Sequence, residues 1–328
     1  MEFVSGAGRA GHDVFPSLHM AVAYCDMTDT APPAPPHHDA LAIAAHAAAM
    51  LPEAAAGGAL HIVSTPIGHL GDISIRALAV LQQVAVICCE DTRQSRTLLS
   101  RYGVTTPLLA LHEHNEAQAT PRLIARLRDG EAIALISDAG TPLVSDPGAR
   151  LVDAAVAAKL RVVPVPGASA TLAALVASGL APHPCTILGF LPRKGGDRRD
   201  MLRVATELPH AVILFEAPSR LVETLRELSA VAGGTRRAAV ARELTKRYEE
   251  IRRGTLDELA AYYEETGVRG EIVLVLDRAA PTEQNEEALS VVAEACRAEG
   301  RRPREIVQLL IDEHGASRNL AYRIAHET

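Results

Sequence analysis

The chain has no tryptophan, and aromatic residues make up only 3% of it. Its cores must therefore be built from Ala, Val, Leu and Ile, and a binding surface of stacked aromatic rings is disfavoured. Cysteine is scarce and odd in number: Cys25, Cys88, Cys89, Cys185 and Cys296, with no C-x-x-C spacing. Reduced thiols in a cytosolic protein are the simplest reading, not a disulfide framework. No apolar run reaches the roughly 18 residues of a membrane helix. The N-terminus lacks a Lys/Arg segment followed by an apolar run, so a secretory signal is not expected. No G-x-x-x-x-G-K-[ST] occurs, and the single G-x-G-x-x-G, residues 6–11, lies in the N-terminal segment with no expected strand before it, which argues against a dinucleotide or triphosphate held in the usual way.

What is present is ordinary globular material. Hydrophobic residues make up 48% and charged residues 22% of 328 residues, enough for about two domains. The formal charge of −7 looks wrong for a nucleic-acid binder, but it is unevenly spread. Residues 1–58 hold one basic residue, Arg9, and six acidic ones: Glu2, Asp13, Asp26, Asp29, Asp39 and Glu53. The rest of the chain, with 32 basic and 34 acidic residues, is close to neutral, so a local basic patch is open to it.

Residues 1–58 read as a separate, disordered extension, with Pro32, Pro33, Pro35 and Pro36, then His37 and His38, then an Ala-rich stretch from Ala40 to Ala49. The His pair lacks a third ligand for a metal. An upstream start codon would account for the segment. From Ala59 to about residue 181, apolar runs alternate with amphipathic stretches. Strands are expected at Leu60–Val63, Val84–Ile87, Leu108–Leu111, Ala132–Ser137 and Val162–Val165. Helices are expected after Asp72 (with Ile75, Leu78, Ala79, Val80 and Leu81 on one face), over Ala117–Arg128 and near Ala149–Ala158. This predicts an α/β domain on a parallel or mostly parallel sheet. Pro182-His183-Pro184 breaks the pattern. Residues 182–279 predict a second α/β domain: strands Thr186–Phe190, Ala211–Phe215, Ala238–Ala241 and Glu271–Leu276, helices near Met201–Leu208 and Arg220–Ala230, and a polar loop Pro192–Asp200. A polar linker, Ala280–Glu286, opens residues 280–328, which should form a small helical module.

Three loops of small residues follow first-domain strands: Ser64–Asp72, Ser137–Gly148 and Val165–Ala170. Gly lets backbone approach a ligand closely, Pro stiffens the loop, and ligands of open α/β sheets bind at the carboxyl ends of strands. One of these loops is unusually long for a βα connection, and none contains Lys or Arg. A phosphate-rich ligand would want positive charge. A ligand carrying a sulfonium, an amine and an adenosine suits such a pocket better, and S-adenosylmethionine fits that description.

Together with Glu90-Asp91-Thr92-Arg93, these loops resemble the tetrapyrrole-methylase-type (class III) methyltransferase domain. More narrowly, S-D-A-G-T-P-L-V-S-D-P-G (residues 137–148), G-F-L-P (189–192), F-E-A-P-S-R (215–220) and A-R-E-L-T-K (241–246) resemble the ribosomal RNA small subunit methyltransferase I family. The likeness covers about Leu60–Asp277 and the helical tail. It implies two α/β domains with a cleft between them and a homodimer in the cytoplasm. The implied reaction is 2′-O-methylation of cytidine 1402 of 16S rRNA, as free rRNA or in the 30S subunit, with S-adenosylmethionine as donor and no metal. Carried across position by position, the donor contacts would be Ile67 and Gly68, then Ala139, Gly140, Thr141 and Val144, then Ser169 and Ala170, and from the second domain Glu216 and Leu244. T-P-I-G at residues 65–68 stands where the wider class has a Gly-rich G-x-G-P-G, a change the narrower family shares, and Thr141 stands where that class often has Asp.

A ribose hydroxyl is a poor nucleophile near neutral pH, so a general base helps by about 10²–10⁴-fold. Candidates are Glu90, Asp91, Glu216, Glu243, Lys194 and Lys246, of which Glu90, Asp91, Glu243 and Lys246 are best placed in the sequence. Two basic clusters, Pro192–Arg203 and Arg236–Arg253, flank the expected cleft and are candidate phosphate contacts. A tail with Arg304–Val307 and Gly315–Asn319 around a Gly-Ala-Ser turn resembles a helix-turn-helix. Two other readings are a methyltransferase of the same fold acting on a tetrapyrrole-like small molecule, and a non-catalytic ribosome-assembly protein. The basic clusters speak against the first, the intact donor loops against the second.

Overall fold

The computed structural model describes residues 57–279, 286–314 and 316–326, with separate positions between 42 and 55. Cys25, the proline run, His37, His38 and the linker residues 280–285 lie outside the described residues.

Short aliphatic runs build the first sheet from β1 (Ala59–Val63), β2 (Val86–Cys89), β3 (Leu108–Ala110), β4 (Ile133–Ile136) and β5 (Arg161–Val165). The order is β3-β2-β4-β1-β5 and every pairing is parallel. β2 and β4 are buried throughout, as expected of strands covered on both faces. Ile87, Cys89, Ala134 and Ile136 face one core with helix Ile75–Gln83, while Val86, Cys88, Ile133 and Leu135 face the other with helices Glu116–Arg128 and Ala149–Ala157. Leu51, Ala54 and Ala55 lie against the first of these cores, where the Gln83 amide bonds Ala55 N and Leu51 O. The final turn of the expected extension therefore packs on the sheet.

The strand expected at Val84–Ile87 is displaced to Val86–Cys89. Val84 is instead the C-cap of the preceding helix, its N–H donating to Val80 O, and the two thiols bury as small apolar groups. Ile75, expected on the buried face, is 54% exposed at the start of its helix. Helix Thr92–Arg101 carries almost no apolar signal, only Ser95 and Leu99 being buried, and its start is set by the Asp91 cap.

The second sheet, β6 (Cys185–Phe190), β7 (Ala211–Glu216), β8 (Arg237–Arg242), β9 (Glu250–Thr255) and β10 (Ile272–Leu276), has the order β6-β7-β10-β8-β9. Only β6–β7 is parallel; β10 runs antiparallel to β7 and β8, as does β9 to β8. Helices Gly196–Glu207, Leu221–Ala232 and Leu256–Thr266 cover one face. The other face receives helix Ala170–Ser178 from the first lobe, and Ala174 and Leu175 join Ala211, Ile213, Ala239, Ala241, Val273 and Val275 in one cluster. The two lobes thus share a core.

Helix Gly196–Glu207 begins inside the stretch read as the polar loop Pro192–Asp200. Its buried face starts with Arg198, 4% exposed, which an apolar pattern does not count. β9 and helix Leu256–Thr266 carry no expected element either, although the capping box of Thr255 and Glu258 is a sequence signal for the helix. The tail folds as helices Glu286–Ala298, Pro303–Asp312 and Arg318–His326 around Leu289, Ala293, Ile306, Leu310 and Ile324. The fold is therefore α/β in two lobes, followed by a helical module.

Candidate active site

The carboxyl ends of β1, β2 and β4 open onto a cavity of about 490 Å³, within the usual range for a small-molecule site. Ile67, Glu90, Asp138, Ala139, Val144, Ser145, Asp146 and Ala170 line it from the first lobe. Across from them, β7 ends as β10 begins, Glu216 pairing with Ile272, so Phe190, Phe215, Glu216, Leu244, Glu271 and Val273 close the second side. Of the sequence-predicted positions, Ile67, Ala139, Val144, Ala170, Glu216, Leu244 and Glu90 face this space. Gly68, Gly140, Thr141, Ser169, Asp91, Glu243 and Lys246 do not line it. Phe190 and Phe215, 5.3 Å apart between ring centres, place a ring pair on a wall where the low aromatic content suggested none.

Hydrogen bonds within the loops explain why they need no charge. Thr65 and Gly140 exchange backbone bonds of 2.9 and 3.1 Å. Thr141 Oγ1 donates to Ala168 O at 3.1 Å and lies 3.0 Å from Ser64 Oγ, tying all three loops together. Ser169 caps helix Ala170–Ser178. Leu143 and Ser145 hold φ of 73° and 72°, a conformation that costs a non-glycine residue of order 1–3 kcal/mol. Ser145 in turn approaches Gly189 at a break in the β6–β7 register, where a Cβ would meet Ser145 Oγ at 3.2 Å.

Neither Lys nor Arg lines the cavity, which carries Glu90, Asp138, Asp146, Glu216 and Glu271. Burial, then Glu90 and Asp138, push the Asp146 carboxyl up to about 6. Burial, then the charges of Glu90 and Asp91, raise Asp138, although a hydrogen bond from the Asp91 backbone opposes them. Asp138 Oδ1 is buried and has no hydrogen-bond partner among the described residues. An orphaned acceptor in an acidic wall fits a cationic ligand with N–H groups. Asp138 and Asp146 were both visible in S-D-A-G-T-P-L-V-S-D-P-G, but nothing along the chain signals that Glu90 joins them. That depends on β2 lying beside β4.

The A-R-E-L-T-K run works as a bracket. Glu243 Oε1 accepts from Lys246 Nζ at 2.8 Å and from Glu271 N at 2.9 Å, and Lys246 also reaches Glu271 at 3.2 Å. The Lys246 bond holds the Glu243 carboxyl below its usual range. Burial lowers Lys246, but its bonds to Glu243 and Glu271 outweigh it and keep the ammonium charged. Neither group is suited to accept a proton; together they fix Leu244 against the cavity. Thr245 Oγ1 accepts from His69 N at 3.0 Å, and a Cβ on Gly68 would sit 2.9 Å from Leu244 O. Asp91 is likewise engaged, its Oδ1 capping helix Thr92–Arg101 through Arg93 N at 2.7 Å.

Glu216 is buried in a network. Its carboxylate accepts from Thr224 Oγ1 at 2.6 Å and from Arg220 at 2.6 Å, with Arg198 at 3.9 Å. Much of the second basic cluster is similarly engaged. Arg236 donates to Asp277 O at 2.9 Å, Arg242 and Arg252 pair with Glu250, and Arg253 donates to Ser178 O at 3.0 Å. Arg193, Lys194 and Arg199 in the first cluster remain exposed.

Residues 59–260 match the family model of the tetrapyrrole (corrin/porphyrin) methylases. The ribosomal RNA small subunit methyltransferase I of Mesorhizobium japonicum is 52% identical over 66% of this chain and 74% of its own length. Its namesake from Xylella fastidiosa is 47% identical over 78% and 90%, and that from Synechocystis is 41% identical over 82% and 98%. Among solved structures, diphthine synthase superposes with a TM-score of 0.52 at 15% identity, covering 67% of this chain and 90% of its own. The uroporphyrin III C-methyltransferase of Thermus thermophilus does so with 0.50 at 19%, covering 67% and 97%. These two likenesses show the fold. Matched over its two lobes by the family model and by relatives across most of their own lengths, the chain belongs to the tetrapyrrole (corrin/porphyrin) methylases and, among them, to the ribosomal RNA small subunit methyltransferase I family.

Proposed function

We propose that this methyltransferase moves a methyl group from S-adenosylmethionine to the 2′-hydroxyl of cytidine 1402 in 16S rRNA, in the cytoplasm and as a homodimer. The observation that carries the reading is the cavity itself, sized for a small molecule and acidic, with a buried carboxylate oxygen of Asp138 that has no hydrogen-bond partner among the described residues. The names of the relatives supply the RNA. The donor brings a methyl group already activated on a positively charged sulfur. Ile67, Val144, Phe190, Phe215, Leu244 and Val273 shield its apolar parts from water, while Glu90, Asp138 and Asp146 favour its positive charge. Transfer of tritiated methyl from labelled donor into unmethylated 30S subunits and 16S rRNA, followed by mass mapping of ribose methyls, tests the assignment. Absence of donor binding by calorimetry would reject it.

Asp146 is the proposed general base. A carboxyl at about 6 is ionised at working pH yet holds a proton better than a free carboxylate, as acid–base catalysis requires. The rate should climb with pH and level off above about 6. Asp146→Asn should lower kcat by about 10²–10⁴-fold and erase that acid limb. It should also stabilise the fold. Ionising a raised carboxyl opposes folding, so the gain is nil near pH 3.8, grows until about 6 and then stays constant. Allowing for solvent screening it amounts to about 1 kcal/mol at neutral pH. An unchanged acid limb in the variant would exclude Asp146 as the base.

The homodimer reading rests on helix Ala170–Ser178. One side packs on the second sheet, yet Leu172 is 54% and Val176 76% exposed. They occupy the same helix face, four residues apart. The helix follows the edge strand β5, where Pro164 blocks strand addition, so a partner must pack by side chains. Val176→Asp should yield monomers in sedimentation velocity; an unaltered dimer would place the interface elsewhere.

A further inference from the structure

Helix Thr92–Arg101 carries a charged surface separate from both basic clusters read in the sequence. Arg93, Arg96 and Arg101, with Thr92, Thr97 and Ser100, wall a shallow depression of about 530 Å³. All three arginines are exposed. Among the described residues none of their side chains joins an ion pair or hydrogen bond, unlike Arg198, Arg236, Arg242, Arg252 and Arg253. Thr97 and Ser100 bond back to Arg93 O and Thr97 O, so the surface presents guanidinium groups above all. Ser95 and Leu99 are buried on the opposite side, which fixes this face outward.

Unpaired cations three residues apart, as Arg93 and Arg96 are, repel one another by a few tenths of a kcal/mol. An anion relieves that repulsion. From Arg93 to Arg101 the helix rises about 12 Å, too far for the three groups to converge on one phosphate and suited to successive phosphates of a strand. A membrane surface would require an apolar face beside the charges, and Leu98 and Leu99 are turned inward instead. The helix starts at the Asp91 cap, directly after Glu90, which lines the cavity. A strand on these arginines therefore enters beside the acidic wall.

We propose that the outer face of helix Thr92–Arg101 is a phosphodiester track, through Arg93, Arg96 and Arg101, that seats the RNA strand flanking the target nucleotide. The inference rests on the RNA methyltransferase reading above. In the full-length protein, Arg93→Ala, Arg96→Ala and Arg101→Ala combined should weaken binding of a short fluorescein-labelled RNA at least tenfold. It should also flatten the dependence of log K on log salt by about 2, roughly 0.7 per lost contact with a single strand. KM for unmethylated 30S subunits or rRNA should rise by a similar factor, with kcat within about twofold and donor affinity by calorimetry unchanged.

A control triple, Arg122→Ala, Arg128→Ala and Arg161→Ala, removes the same charge from helix Glu116–Arg128 and the start of β5 and should do much less. Replacing the track arginines by lysine should restore most of the binding. A track variant indistinguishable from wild type, or from the control triple, overturns the inference while leaving the function intact. Wild-type protein that binds donor but methylates no RNA overturns the functional reading, and the track with it.

Discussion

Glu216→Leu is expected to lower stability by about 3 kcal/mol, because it leaves the buried Arg198 and the half-buried Arg220 without a shared carboxylate. For a chain of this size that corresponds to a melting temperature roughly 4–5 °C lower. Arg198 retains Glu227, which keeps the loss at the lower end of what a broken buried pair costs. Glu216→Gln, which can still accept from Thr224, should lose about half as much. Thermal and denaturant unfolding measure both. The position also bears on donor binding, since Glu216 lines the cavity. If Glu216→Leu melted like wild type but no longer bound donor, the carboxylate would be a ligand contact and the buttress reading would fail.

Gly68→Ala should reduce donor affinity at least about tenfold, or 1.4 kcal/mol, with a much smaller change in melting temperature. The added methyl would lie 2.5 Å from Lys246 Cγ, 2.7 Å from Thr245 Oγ1 and 2.9 Å from Leu244 O. Lys246 can swing away, but a backbone oxygen can retreat only if the left-handed turn at Glu243 and Thr245 moves. Leu244 would then leave the cavity wall. Calorimetric titration with S-adenosylmethionine checks the expectation; an unaltered Kd would mean that the seam between loop and bracket yields without disturbing the site.

These two positions mark what could and could not be read along the chain. The small-residue loops were legible because parallel strands deliver their carboxyl ends to one edge, and Gly and Pro at those ends have few other uses. Ile67, Ala139, Val144 and Ala170 accordingly lie on the cavity, and Leu244, implied only by the family resemblance, reaches it from the end of the antiparallel strand β8. The Glu90–Asp138–Asp146 group was not legible, since it forms only when β2 pairs with β4. Nor was the fate of the arginines. A basic run looks alike whether its members await RNA or, like Arg236 and Arg253, donate to carbonyls 41 and 75 residues away in sequence. Helix Thr92–Arg101 shows the converse, because its polar face gave no periodicity to detect, yet Arg93, Arg96 and Arg101 on it join no ion pair among the described residues.

The helix Ala170–Ser178, rooted in one lobe and embedded in the other, has a mechanical consequence. Swinging the lobes apart would strip Ile67, Ala174, Leu175, Ile213, Val273 and Val275 of their contacts, at about 1.5–3 kcal/mol for each large side chain exposed. No ligand of this size repays that. The two lobes are therefore held together like a fixed jaw, and a ligand is expected to enter or leave by displacing loops at the rim while this shared core stays still.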